Sequence, residues 1–333
     1  MPLAPDTGPS SPQAARTFQA ALAARALVLD GALATFVAPS PTRVAPCDAL
    51  THDDPGRLLA THHAYLAAGA DIIRTNTFQS GPPWAAGARG AGARARAAAR
   101  LARTAADDVT RAFPARPRWV AGTIGPPTAP TPSPLDAHAR AVLQRGYEHL
   151  LRELLDGGVD LLLVETIFRT DWVPVIADAL HQAMHETGVD RPWLLSFALA
   201  DDTEPSIGGV PLAEAASAVV PFAPLAVGVN CGTGSAGVRT ALRALASLRI
   251  PFRTCHPSAG LPDAAGGYAG TPGELAGALG ALVEEGLLDV AGGCCGTTPA
   301  HIAALAAALA ASPRPPAGTG SGVAAARPRA TQC

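Results

Sequence analysis

The chain has 333 residues, 48% of them hydrophobic, and 25 basic and 27 acidic residues give it a net charge of −2. This length and composition fit one large α/β domain or two small ones and exclude a largely disordered chain. The near-neutral charge gives no electrostatic argument for binding nucleic acid or an anionic membrane. All the basic residues are arginine, which excludes enzymes that need a lysine Schiff base, such as lysine-dependent aldolases and transaminases.

The cysteine content argues against a disulfide-stabilised secreted protein. Six cysteines in a chain of this length are too few for a disulfide framework, and their pattern favours metal-bound or free thiols in a reducing compartment. The sequence shows neither a signal peptide nor an uninterrupted apolar run of about 20 residues that could span a membrane. We therefore expect a cytoplasmic protein. The cysteines are Cys47, Cys231, Cys255, Cys294, Cys295 and Cys333.

The two ends of the chain are rich in Pro, Ser and Gly, a composition typical of disorder. We predict a disordered N-terminal segment over residues 1–20, a single domain over residues 21–312, and a disordered tail over residues 313–333.

Between these ends, short apolar runs alternate with helical patterns, which indicates parallel βαβ units. Eight such units in about 300 residues predict a (β/α)₈ TIM barrel rather than an open sheet. The predicted strands are Leu27–Asp30, Asp71–Thr75, Trp119–Ile124, Asp160–Glu165, Trp193–Ala198, Leu225–Asn230, Ile250–Cys255 and Leu288–Ala291. The predicted helices are Arg57–Ala68, Ala93–Phe113, Asp136–Leu155, Asp171–Glu186, Leu212–Val220, Val238–Leu248, Gly273–Glu285 and Pro299–Ala311.

Polar residues cluster at the C-terminal ends of the predicted strands, which is where a barrel of this kind builds its active site. Because the strand ends were assigned from the apolar runs alone, this clustering is partly independent support for the barrel. The residues are Asp30-Gly31, Thr75-Asn76-Thr77, Glu165-Thr166, Asn230-Cys231, Cys255-His256 and Cys294-Cys295.

Cys231, Cys294 and Cys295 are the strongest candidates for chemistry. Cys231 ends one apolar run, and the other two lie between glycines after another. Three thiolates suit zinc and leave a fourth position open, where a substrate thiol would lose its proton and become a nucleophile. A structural zinc site, a redox pair and unliganded cysteines remain the alternatives. Cys255 could supply a fourth thiolate, which would close the site and make it structural.

Acidic and amide side chains at the strand ends are candidates for binding substrate. Asp30 and Glu165 could bind the ammonium group of an amino acid, or could serve as a cap or an ion-pair partner. Asn76 and Asn230 could contact substrate or hold loop backbone. His256 could reach the site or bond to a loop carbonyl.

Several motifs together resemble the homocysteine S-methyltransferase family over Leu27 to Ala311. The motifs are Asp30-Gly31, Gly69-Ala70-Asp71-Ile72-Ile73 with Thr75-Asn76-Thr77-Phe78, Glu165-Thr166-Ile167-Phe168, Gly228-Val229-Asn230-Cys231 and Gly292 to Thr297. The resemblance implies a zinc-binding (β/α)₈ barrel that methylates homocysteine to methionine. It implies that Cys231, Cys294 and Cys295 bind Zn²⁺, that Glu165 receives the homocysteine amino group, and that Asp30 and Gly31 help to hold the amino acid. We add Asn230 to the expected substrate contacts.

The segment from His256 to Pro262, with Gly266-Gly267-Tyr268, looks closest to the homocysteine barrel of cobalamin-dependent methionine synthase. The donor could be S-methylmethionine, S-adenosylmethionine, a betaine-like compound, or methylcobalamin on a separate corrinoid protein. We expect no nucleic acid or membrane partner and leave homo-oligomer formation open. Arg74 stands where the cobalamin-type barrel usually has Glu. The alternatives are methyl transfer to another thiol or selenol, and a non-catalytic zinc barrel that partners a corrinoid protein.

Overall fold

The computed structural model describes residues 12–37, 47–82, 91–199, 206–232 and 237–311. The helices are α1 (Pro12–Ala24), α2 (Ala34–Val37), α3 (Leu50–Asp53), α4 (Pro55–Ala67), α5 (Ala91–Ala112), α6 (Ala137–Asp156), α7 (Trp172–Thr187), α8 (Leu212–Ser217), α9 (Val238–Ala246), α10 (Pro272–Glu284) and α11 (Pro299–Ala311). The strands are β1 (Leu27–Val28), β2 (Ile72–Arg74), β3 (Trp119–Ile124), β4 (Leu161–Ile167), β5 (Trp193–Ala198), β6 (Ser206–Ile207), β7 (Val210–Pro211), β8 (Ala226–Cys231), β9 (Phe252–Pro257) and β10 (Val290–Ala291).

Eight parallel strands form one sheet in the order β1-β10-β9-β8-β5-β4-β3-β2. A parallel bridge between Leu29 and Ile72 joins the first and last of these strands, so the sheet closes into a barrel. The helices pack around its outside. The predicted (β/α)₈ fold is confirmed, and each of the eight predicted strands overlaps a barrel strand.

Alternation along the strands divides the buried apolar residues into two clusters, because successive side chains of a strand point to opposite faces. Val120 on β3 belongs to the outer cluster between sheet and helices. Its neighbours Trp119 and Ala121 belong to the inner cluster, which fills the barrel together with Leu161 and Leu194. The inner cluster draws mainly on the first residues of the strands, so the N-terminal half of the barrel is a packed apolar core.

Helix α1 closes the N-terminal end of this barrel, and it corrects the predicted disorder for residues 12–20. Phe18 and Leu22 lie four residues apart on one face of α1 and are fully buried in the inner cluster. The Phe18 ring meets Trp119 edge-on, with the ring centroids 5.6 Å apart. The surrounding alanines and polar residues hide this two-residue apolar face in the sequence. Residues 1–11 and the predicted tail over 313–333 lie outside the described residues.

Two further features depart from the predicted element order. The short strands β6 and β7 pair as an antiparallel hairpin outside the barrel sheet. Helix α8 ends at Ser217, earlier than predicted. The stretch from Gly81 to Gly92, whose Gly and Pro content indicates a loop, lies mostly outside the described residues. Among the helices that the structure describes, none is both long and apolar enough to cross a bilayer.

Candidate active site

The fold brings the three predicted thiol ligands together at the C-terminal end of the barrel. Cys231 is the last residue of β8, and Cys294 and Cys295 follow β10. The sulfur atoms of these three residues all lie within 4.8 Å of one another. The Cys231 and Cys294 sulfurs are 3.1 Å apart, and those of Cys294 and Cys295 are 3.9 Å apart. All three side chains are partly exposed, so the cluster is open to a ligand.

The backbone at Cys231 is unusual. Its φ of 59° lies in the left-handed region, which non-glycine residues rarely adopt and which costs on the order of 1–2 kcal/mol. Thr166 at the end of β4 has a similar φ of 65°, where the pairing between β4 and β5 shifts by a bulge. Both turns redirect the chain at the mouth of the barrel.

Asn230 connects these two turns. Its Oδ1 accepts hydrogen bonds from the backbone N–H of Thr166 (3.0 Å) and from the Ser196 hydroxyl (2.7 Å). Its Nδ2 donates to the Thr166 hydroxyl (2.9 Å) and lies 3.1 Å from the Cys231 sulfur. The amide of Asn230, predicted to contact substrate, therefore bonds to protein on every side and aims Cys231 into the site.

The loop that carries Cys294 and Cys295 is fixed by bonds to its neighbours. The N–H of Cys294 donates to the Pro257 carbonyl (2.8 Å), and the Thr297 hydroxyl donates to the Cys294 carbonyl (2.7 Å). At Gly293 an added Cβ would come within 2.4 Å of the Thr297 hydroxyl oxygen, so this tight turn requires glycine. The loop is built to present both thiols on one side.

The three thiols influence one another's ionisation. Hydrogen bonds from Cys231 and then Cys294 lower the pKa of Cys295 to about 3. The bonds that Cys294 makes with Cys231 and Cys295, together with burial, raise the pKa of Cys294. Tyr268 also hydrogen-bonds to Cys295, and Arg74 stabilises its thiolate electrostatically. Within the cluster, the thiolate form is therefore favoured at Cys295.

The donor set fits a thiophilic metal ion. Zinc–sulfur bonds of about 2.3 Å at tetrahedral angles place two sulfurs roughly 3.8 Å apart. The Cys294–Cys295 separation of 3.9 Å matches this value, and the Cys231–Cys294 separation of 3.1 Å would have to widen slightly. Three thiolates favour zinc over hard cations such as Mg²⁺ or Ca²⁺.

Cys255 lies outside the thiol cluster. Its side chain is fully buried in the outer core between the sheet and the helices, where burial raises the pKa of its thiol. It neighbours His256 in β9, whose side chain points into the barrel, so alternation along the strand turns Cys255 away from the site. Among the described residues, the group of possible metal ligands contains Cys231, Cys294 and Cys295 but not Cys255. The structure therefore offers no fourth thiolate from Cys255.

Arg74 joins the two carboxylates that were predicted to bind substrate. Its Nε donates to Asp30 Oδ1 (2.7 Å), and its Nη1 donates to Glu165 Oε2 (3.0 Å). Its Nη2 lies within bonding distance of three backbone carbonyls, those of Asp30 (3.2 Å), Gly31 (2.8 Å) and Gly293 (2.7 Å). This buried guanidinium ties together the ends of β1, β2 and β4 and the loop after β10.

The charges of Arg74 and the two carboxylates that it contacts do not cancel. Burial alone would raise the pKa of Glu165, but the Arg74 charge and a bond from His256 together lower it to about 2. Burial raises the pKa of Asp30 against the opposing effect of Arg74. His256 Nε2 lies 2.9 Å from Glu165 Oε2, and burial lowers the pKa of this histidine. A neutral His256 leaves two carboxylates facing one guanidinium.

The remaining predicted residues occupy supporting positions. Gly31 has room for no side chain, because an added Cβ would come within 2.8 Å of the Tyr65 ring. Asn76 donates to the Cys47 carbonyl (2.7 Å) and so holds loop backbone.

The sequence analysis did not predict the central place of Arg74 in the site. Its position two residues after Ile72 in β2 was the available signal, because both residues must point into the barrel.

Solved structures of known proteins share this fold. The homocysteine methyltransferase MmuM from Escherichia coli in its metallated form is 24% identical with a TM-score of 0.66, covering 88% of this chain and 99% of that one. Its apo form is 24% identical with a TM-score of 0.62, covering 85% and 96%. The carboxyl transferase domain of Rhizobium etli pyruvate carboxylase is 12% identical with a TM-score of 0.50, covering 92% and 52%. At these identities the likenesses show the fold alone.

The family is shown by the sequence itself. The family model for homocysteine S-methyltransferase matches residues 27–309, which include every barrel strand and all three clustered thiols. The resemblance drawn from the sequence motifs is thereby confirmed. The chain is a methyltransferase that belongs to the homocysteine S-methyltransferase family.

Proposed function

We propose that this protein binds Zn²⁺ through Cys231, Cys294 and Cys295 and transfers a methyl group to the sulfur of homocysteine, giving methionine. The single observation that carries the proposal is the convergence of three partly exposed thiols within 4.8 Å at the catalytic end of the barrel. Zinc bound there would keep a substrate thiol deprotonated at neutral pH and so make it a nucleophile.

The protein's own residues fix the ligands before the ion binds. Asn230 holds Cys231 in its left-handed turn, and the bonds of Thr297 and Pro257 hold the loop that carries Cys294. Preorganised ligands lose little conformational entropy on binding. This support favours a site that keeps its geometry while substrate and product exchange at the open position.

Glu165 is the group best placed to receive the amino group of homocysteine. Its carboxylate is ionised, and it lies close enough to Cys231 to act on that thiol electrostatically. The carboxylate of Asp30, the carbonyl of Gly31 and the amide of Asn230 are all bonded to protein groups. We assign these three residues to holding the pocket in shape around the substrate.

The methyl donor is best sought among activated methyl compounds. Phe36, Phe78 and Phe168 follow β1, β2 and β4 and expose 39%, 39% and 46% of their surface at the barrel mouth. Aromatic faces attract sulfonium and quaternary ammonium groups, and an apolar rim also suits a corrinoid partner. S-methylmethionine, S-adenosylmethionine, betaine and methylcobalamin are therefore the donors to compare.

The test is methionine formation by zinc-loaded protein under anaerobic conditions, with homocysteine and each donor in turn. Product with one donor, lost in Cys294→Ala but retained in Cys255→Ala, would support the proposal. Selenohomocysteine and other thiols in competition would show whether homocysteine is the preferred acceptor. Zinc-loaded protein that yields no product with any donor or acceptor, even with a corrinoid protein added, would favour a non-catalytic barrel.

A further inference from the structure

Arg74 occupies both carboxylate oxygens of Asp30. The Asp30 side chain is fully buried, with Arg74 Nε on Oδ1 at 2.7 Å and the Arg74 backbone N–H on Oδ2 at 2.9 Å. A substrate ammonium could reach this carboxylate only by displacing a buried guanidinium that also bonds to Gly31 and Gly293. Breaking such a buried ion pair is strongly unfavourable, so Asp30 is closed to substrate.

Glu165 is only half occupied. Its Oε2 takes both the bond from Arg74 Nη1 at 3.0 Å and the contact with His256 Nε2 at 2.9 Å. None of the residues that the structure describes forms a hydrogen bond to Oε1. The side chain keeps 6% of its surface exposed, on the same side of the barrel as the thiols. One carboxylate oxygen therefore remains for a ligand.

We infer that Arg74 determines the specificity of the thiol pocket. It withdraws Asp30 from recognition and, among the residues that the structure describes, leaves Oε1 of Glu165 as the carboxylate oxygen that receives the substrate's amino group. This inference rests on the proposed function and refines it. The acceptor class is a thiol with an α-ammonium group, recognised through one charge-assisted bond rather than through two acidic side chains.

The shape of the guanidinium is essential to this role. A planar fork can bond to Asp30, Glu165 and three carbonyls at once, whereas a lysine ammonium offers only three donors from one point. Through the Gly293 carbonyl, Arg74 also connects the amino-group pocket to the residue next to Cys294. Arg74 is thus a positioning residue for Glu165 and for the thiol loop.

The experiment compares two thiols on protein loaded with Co²⁺, whose absorption reports thiolate binding without any methyl donor. L-homocysteine and 4-mercaptobutyrate share the thiol and the carboxylate but differ in the amino group. The measured quantity is the ratio of their dissociation constants in wild-type, Glu165→Gln and Asp30→Asn proteins.

We expect Glu165→Gln to reduce the preference for homocysteine at least about tenfold, the value of one charge-assisted hydrogen bond. Asp30→Asn should leave the preference within about threefold of the wild type, since this carboxylate never meets the ligand. An equal loss of preference in both variants, or an unchanged preference in Glu165→Gln, would overturn the inference.

Arg74→Gln provides a second arm that does not depend on the folding of Asp30→Asn. Without the guanidinium, Glu165 loses the partner that positions its carboxylate and the buried Asp30 loses its counter-charge, so the preference for homocysteine should fall at least about threefold. Arg74→Lys, which retains the charge, is the control. An unchanged preference in Arg74→Gln would contradict the inference alone. Wild-type protein that binds Co²⁺ but neither thiol would contradict the proposed function itself.

Discussion

The two ends of the barrel interior are built by the same eight strands, yet they differ sharply in chemistry. At the N-terminal end, Leu161, Leu194 and Trp119 pack together beneath Phe18 of α1. At the C-terminal end, the inward positions carry buried charges, with Arg74 among them, and open onto the thiols. The difference teaches that stability and reactivity are separated along the strands. Apolar burial at one end offsets the cost of burying charge at the other.

The largest expected effect is at the reactive end. Cys294→Ala should abolish methyl transfer and zinc retention, because two thiolates do not complete the site. The fold should persist, since this loop contributes nothing to the apolar core. Methyl-transfer assays, metal analysis and thermal unfolding check the prediction.

Cys255→Ala is the matched control for this variant, since it removes a buried thiol from the same region without touching the cluster. It should keep zinc and activity while losing roughly 1–2 kcal/mol of stability. Full activity in Cys294→Ala, or loss of zinc in Cys255→Ala, would mean that the wrong thiols have been assigned to the metal.

The apolar end should show the opposite response. Phe18→Ala removes a fully buried ring from the base of the barrel and should lower the free energy of unfolding by about 3–5 kcal/mol. The zinc content and turnover of the folded fraction should stay close to wild type. Denaturant unfolding and activity below the transition test this.

Gln19→Ala, on the exposed face of the same helix, should change stability by about 0.5 kcal/mol at most. A Phe18→Ala protein as stable as the wild type would show that α1 does not close the barrel in solution.

Asn230→Ala tests the side chain that holds Cys231 in place at the C-terminal end of the barrel. Its loss leaves the Thr166 N–H and the Ser196 hydroxyl without their partner, which should cost roughly 2–4 kcal/mol. Zinc affinity should fall as well, because Cys231 loses the contact that directs it. Zinc titration and unfolding would be measured together. Unaltered zinc affinity in a destabilised protein would show that Asn230 supports the strands but not the thiol.

The smallest effect concerns a buried titratable group on α4, away from the thiol cluster. His62 on α4 is fully buried, and neither ring nitrogen has a hydrogen-bond partner among the described residues. Burial, followed by the nearby His63, lowers the pKa of His62 to about 4 from its usual 6.5. The unfolded chain therefore binds the proton first, and stability falls as the pH drops from 6.5 towards 4.

Between pH 7 and pH 5 this group should cost about 2 kcal/mol of unfolding free energy. His62→Leu should lessen the acid sensitivity by that amount when both proteins are unfolded in denaturant at each pH. Identical pH profiles would show that His62 is not buried as a neutral group.

Much of this molecule can be predicted from its sequence because the governing patterns are local. The alternation of apolar runs with helical patterns predicted the barrel. Because Cys231 lies at a strand end, the sequence also predicted that its thiol lies close to those of Cys294 and Cys295. Alternation places Cys255 and His256 on opposite faces of β9, but the sequence does not show which of the two faces the barrel interior.

What could not be predicted depends on contacts between distant residues. Arg74 bonds to Glu165, which lies 91 residues away in the chain. A sequence does not show that one guanidinium reaches two carboxylates. The burial of Phe18 likewise depends on Trp119, far along the chain, and only that contact turns a weak helical pattern into a structural element.

The most direct test of the central claim is zinc K-edge X-ray absorption on the protein before and after homocysteine is added. The account predicts sulfur from Cys231, Cys294 and Cys295 in the free protein, and a further sulfur scatterer once homocysteine fills the open position. Selenohomocysteine should give a distinct zinc–selenium distance at that same position. A zinc ion whose sulfur coordination is already complete, and does not change with either compound, would contradict the account.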